Sequence, residues 1–222
     1  MFTKKCVLFL GLTLALAGLA LGQGIEMRMF TVGTRTIGWF ANGTGLTVTG
    51  LRIGFDQPVT LLGKLEIGGG FQNVTGTDKA AEFMFQGSLV KGGFLELRWE
   101  PLAAKPILVM WLVGAKPAGT PYFATVPALL KVMAEGLVTL RDADPQGFAA
   151  LLTEFFTVNV TLADSLAQLG MTPQMLTGML MVAPAEGIEN LLLTLINAFK
   201  LDTMEKFMGA LDWSLILKAL GL

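Results

Sequence analysis

Leu46-Thr47-Val48-Thr49-Gly50-Leu51-Arg52-Ile53-Gly54-Phe55 is the stretch whose reading decides the fold. Leu46 and Val48, then Leu51, Ile53 and Phe55, alternate with Thr47, Thr49, Arg52 and Gly54. Apolar residues at every second position put one face of a strand in a core and the other in water. The phase slips by one residue at Gly50, where a bulge restores the facing. Working outward, similar runs predict strands at 25–31, 35–40, 58–63, 65–69, 82–90, 93–99 and 106–113. Lys91-Gly92-Gly93 separates two of them, and glycine supplies the positive φ that tight hairpin turns demand. Many short strands with Gly-rich turns and no helix between them predict an antiparallel β-sandwich over 23–118.

The period changes after Ala115-Lys116-Pro117-Ala118-Gly119-Thr120-Pro121. Leu129, Leu130, Met133, Leu137 and Val138 recur at helical spacing. Asp144-Pro145 and Thr172-Pro173 each place a capping oxygen before a proline at the first helical position. Asp202 with Glu205 has the spacing of a capping box. These signals predict helices near 126–141, 145–157, 161–169, 173–182, 185–200 and 203–220. The short connections suit antiparallel neighbours, so 121–222 reads as a helical bundle. The fold class is therefore α+β.

Leu51-Arg52-Ile53-Gly54-Phe55-Asp56-Gln57-Pro58-Val59 resembles the strand end of bacterial immunoglobulin-like surface domains. The resemblance covers these nine residues, and the helical half has no counterpart in that family. It implies an immunoglobulin-like sandwich on an exported protein, acting in adhesion or as a spacer.

The N-terminus carries an address. Lys4 and Lys5 precede an apolar run from Cys6 to Leu21, and Ala20 and Gly22 offer small residues before Gln23. That order predicts a signal peptide over 1–22 and a secreted, periplasmic or cell-surface location. After Gly22 the chain holds neither cysteine nor histidine, which rules out disulfides, Ser-His-Asp and Cys-His catalysis and the usual zinc sites. An exported chain without cysteine fits a bacterial or archaeal source. No apolar run after residue 22 is long enough for a membrane helix.

Charge is nearly balanced, with 16 basic and 17 acidic residues. No Lys or Arg occurs between Arg141 and Lys200, and nothing resembles the basic patch that nucleic acid requires. Asn42-Gly43-Thr44, Asn73-Val74-Thr75 and Asn159-Val160-Thr161 match the glycosylation acceptor pattern.

Four groups could carry binding or chemistry. Trp39, Trp99, Trp111, Phe71, Phe83, Phe85 and Phe94 lie in the strand half. Phe83, Phe85 and Trp99 serve either as core residues or as an exposed platform for sugar rings. Met171, Met175 and Met179 are four apart and serve either as core fillers or as thioether ligands for Cu(I). Glu96 and Glu100 share a strand face and keep a carboxylate-based hydrolase formally open. Asp142-Ala143-Asp144 offers oxygen ligands, although Asp144 already has work as a cap. No cofactor or catalytic residue is assigned. The expectation is a non-catalytic exported binding or structural protein with a protein or cell-surface partner. Its alternative is a carrier of an apolar ligand or lipid in the helical half, where Leu191-Leu192-Leu193 is apolar on more than one face.

Overall fold

The computed structural model describes residues 25–222, so the expected signal at 1–22 lies outside the described residues. The chain divides between Tyr122 and Phe123 into two compact units.

The first unit is antiparallel sheet. Its strands are β1 (Ile25–Val32), β2 (Arg35–Asn42), β3 (Val48–Asn73), β4 (Lys79–Glu100) and β5 (Pro106–Val113). Two-residue pieces follow, β6 (Lys116–Pro117) and β7 (Tyr122–Phe123). The hydrogen-bonded order is β1-β2-β4-β3-β5-β6. The expected sandwich of two facing sheets gives way here to one continuous sheet that curls on itself as a half-barrel. Phe85 of β4 is paired with Leu51 on one side and Asn73 on the other, both from β3. A strand has only two edges, so β3 must wrap around β4 to occupy both. The expected strands at 58–63 and 65–69 are consecutive parts of β3, and those at 82–90 and 93–99 are parts of β4.

Lys91-Gly92-Gly93 is accordingly not a hairpin turn. Ile67 pairs with Phe94 and Gly69 with Leu89, so β4 bulges at this point while continuing along the same partner. The backbones come so close here that a Cβ on Gly69 would lie 1.9 Å from the Ser88 carbonyl oxygen. Only glycine fits such an approach. The slip expected at Gly50 is present as a register shift between Val48 and Gly50.

Phe40, Leu51, Ile53, Phe83, Phe85, Trp99 and Trp111 form the buried centre of this unit. Phe55 meets Trp99 edge-on at 5.1 Å between centroids, and the Trp99 indole donates to the Ala104 carbonyl at 3.2 Å. The Trp111 indole nitrogen is buried without a hydrogen-bond partner.

The second unit holds seven helices: α1 (Val126–Ala143), α2 (Pro145–Val158), α3 (Val160–Gln168), α4 (Pro173–Val182), α5 (Ala185–Phe199), α6 (Met204–Ala210) and α7 (Ser214–Leu220). The capping signals at Asp144-Pro145 and Thr172-Pro173 act as read. Asp144 accepts from Gly147 N at 2.9 Å and Thr172 from Met175 N at 3.2 Å. Arg141 on α1 donates to the carbonyls of Leu180 and Ala183, satisfying the end of α4. All seven contribute to one apolar core that includes Leu130, Leu166, Leu176, Ile188 and Phe207.

Two expectations change at the C-terminus. The capping box at Asp202 is replaced by Thr203, which accepts from Lys206 N, while Asp202 pairs with the Lys206 ammonium at 2.7 Å. The single helix over 203–220 breaks into α6 and α7. The break follows from a buried asparagine outside it. Asn159 accepts from Asp212 N at 2.6 Å and donates to the Asp212 carbonyl at 3.1 Å. These bonds hold the Asp212 backbone out of the helical ladder. No described helix is long and apolar enough to cross a membrane.

Candidate functional site

Consecutive residues of a strand face opposite ways, so the pair Trp39-Phe40 must put one aromatic ring outside. Phe40 is fully buried and Trp39 is 40% exposed. The register aligns Arg28, Trp39, Glu96 and Leu65 across β1, β2, β4 and β3, which sets these four on one face. Phe94 and Ile67 form the next paired rung on that face, and Phe30, Ile37 and Arg98 lie two residues the other way.

The rings of Phe30, Trp39 and Phe94 form a strip. Phe30 meets Trp39 edge-on at 4.9 Å, and Trp39 lies 6.1 Å from Phe94. Leu65 and Ile67 extend it, each about half exposed. Beneath the strip lies a polar anchor. The Trp39 indole N–H donates to Glu96 Oε2 at 2.8 Å, and Glu96 Oε1 accepts from Arg98 Nε at 2.7 Å. Glu96 is only 7% exposed, while Arg98 reaches solvent. A buried carboxylate needs a charge partner and full hydrogen bonding, and both are present. The indole is thereby fixed in orientation while part of its ring stays open to solvent.

Of the residues singled out in the sequence, Trp39, Phe94 and Glu96 come together here, and the others fall elsewhere. Phe83, Phe85 and Trp99 are core residues, buried because the curl turns their face of β4 inward. They offer no platform to a ligand. On the strip face Trp39 is exposed with Phe30 and Phe94 half-buried beside it, and the Trp39-Phe40 pair was the signal for the exposed ring. Met171 packs partly against the helical core, whereas Met175 and Met179 lie exposed on α4. Asp144 caps α2, and Asp142 pairs with Arg141 at 2.9 Å.

The three Asn-x-Thr sequences have structural work. Asn42 is buried, and its amide donates among the carbonyls of Leu46, Leu89 and Val90. Asn73 holds the turn to Thr75 and Thr77. Asn159 ties α2 to Asp212. No protein-family model matches the chain, and a search of curated proteins finds no relative.

Proposed function

We propose that this chain is a non-catalytic binding protein of the cell exterior or envelope, with the strip around Trp39 as its working surface. The observation that carries the reading is an exposed indole held in place by a buried carboxylate. Holding the ring in advance reduces the side-chain entropy lost on binding, and aromatic rings are enriched where partners dock. The adhesion role implied by the resemblance at Leu51–Val59 belongs to the same class. Suitable partners present a flat surface with apolar patches and hydrogen-bonding edges, as sugar rings of a cell surface do.

The test uses purified residues 23–222 and isolated envelopes of the host in a co-sedimentation assay. Trp39→Ala is expected to abolish sedimentation while leaving the circular dichroism spectrum unchanged. Equal sedimentation of the variant and the parent, or of neither, overturns the proposal.

A further inference from the structure

The helical unit holds a second feature unrelated to the strip. A partly open cavity of about 70 Å³ reaches into its core, lined by residues that include Leu137, Leu176, Leu195, Phe207, Trp213 and Ile216. Every lining residue is apolar. The one polar side-chain atom among them, the Trp213 indole nitrogen, already donates to the Phe207 carbonyl at 2.8 Å. A water molecule needs two to four polar partners to remain in a buried site. The lining side chains supply none, so the cavity favours hydrocarbon over ordered water. Its volume is about half that of an engineered apolar cavity of roughly 150 Å³ that takes up benzene or xenon.

One wall of the cavity is weakly built. Phe207, Leu211, Trp213 and Ile216 come from α6, α7 and the segment joining them. Each of these helices has seven residues, too few to be stable alone, so their order depends on packing. Trp213 stacks on Phe207 at 4.4 Å and lies 5.4 Å from Phe155 of α2. The polar tie of this wall to α2 is Asn159, through its two bonds to the Asp212 backbone. Short helices with a single polar tie to α2 can shift at lower cost than a long helix in the middle of the core.

We propose that the helical unit binds a hydrocarbon group in this cavity, with the short helices α6 and α7 forming its adaptable side. Two sources share that chemistry, a small free hydrocarbon and the terminal carbons of an alkyl chain. The inference does not rest on the sheet-face reading, since the residues concerned all lie in the second unit.

Methyl-resolved NMR of residues 23–222 tests it with three probes: xenon under pressure, benzene, and decanoate below its micellar concentration. Saturable shifts are expected at the methyls of Leu176, Leu195 and Ile216, with none at Leu51 or Ile53 in the sheet. Shifts with decanoate as well as the small probes assign the site to chain ends. Shifts with xenon or benzene alone assign it to small hydrocarbons. Leu176→Phe fills the space and is expected to remove the saturable shifts. If that variant does not fold, Leu176→Ala enlarges the cavity and is expected to tighten benzene binding. Absence of saturation with all three probes overturns the proposal, as does saturation that neither variant alters.

Discussion

The two units reach a packed core by opposite routes. In the sheet, the decisive contacts join residues far apart in the chain, such as Thr36 with Trp99 or Leu51 with Trp111. Close backbone approaches at glycine make its curl possible. In the helical unit most elements are bounded by their own neighbours, through Thr125, Asp144, Thr172 and Thr203 as caps. Long-range polar ties are few there and concentrated at Arg141 and Asn159. The sheet is therefore vulnerable wherever backbones touch, and the helices wherever a single polar residue holds two segments together.

The sharpest break of this comparison is Gly69→Ala. The added carbon meets the Ser88 carbonyl and cannot be accommodated without moving β4, so a loss of about 3 kcal/mol is expected from overpacking. Urea unfolding followed by hydrogen exchange should show the loss in β3 and β4 while α1 to α5 keep their protection. Protection lost equally in both units would show that they unfold as one.

Asn159→Ala comes next. It leaves the Asp212 amide and carbonyl and the Phe155 carbonyl without their side-chain partner, at an expected cost of about 2 kcal/mol. Exchange should accelerate first in α6 and α7. Unchanged protection over 204–220 would mean that apolar packing alone holds that wall.

The two buried indoles of the sheet make a matched pair. Trp99→Phe removes a hydrogen bond and strands the Ala104 carbonyl, whereas Trp111→Phe removes a donor that has no partner. Trp99→Phe should be the more damaging by about 1 kcal/mol, read as the difference in urea midpoints at a common slope. The reverse order would show that volume outweighs hydrogen bonding in this core.

Gly178→Ala turns the glycine comparison around. Gly178 sits inside α4 with open space where a Cβ would go, so alanine should stabilise the helical unit by about 0.5–1 kcal/mol. Thermal unfolding of the full chain measures this, and a decrease would place an unrecognised demand on that position.

Acid should produce the smallest effect, and in the helical unit. Hydrogen bonds from Ser214 hold the Asp212 carboxyl below its ordinary value, and the Lys206 ammonium does the same for Asp202. A carboxylate whose pKa is lowered by folding contributes stability above its unfolded pKa and loses it as pH falls through the folded value. Stability should therefore decline on the acid side of the usual carboxylate range, less so in Asp202→Asn with Asp212→Asn. An identical acid limb in that double variant would assign the decline to other carboxylates.

Much of the fold was legible because its signals are local. The alternation from Leu46 to Phe55 marks a strand wherever that strand pairs, and Asp144-Pro145 starts a helix whatever packs on it. The site was legible only in part. Trp39-Phe40 required one exposed ring, but which ring faced out depended on which side of β2 met the core. Phe83, Phe85 and Trp99 are aromatic like Trp39 but face the core.

The sequence by itself determined the α+β class, the change of period near residue 120, the helix starts at Asp144 and Thr172, and the slip at Gly50. These depend on residues within a few positions of one another, where sterics and capping act directly. Tertiary structure alone decided that β3 lines both edges of β4, that Glu96 anchors Trp39, that Asn159 breaks the last helix, and that seven helices leave an apolar cavity. Each of those depends on residues far apart in the chain, and pairing at a distance follows from the packing of the whole unit.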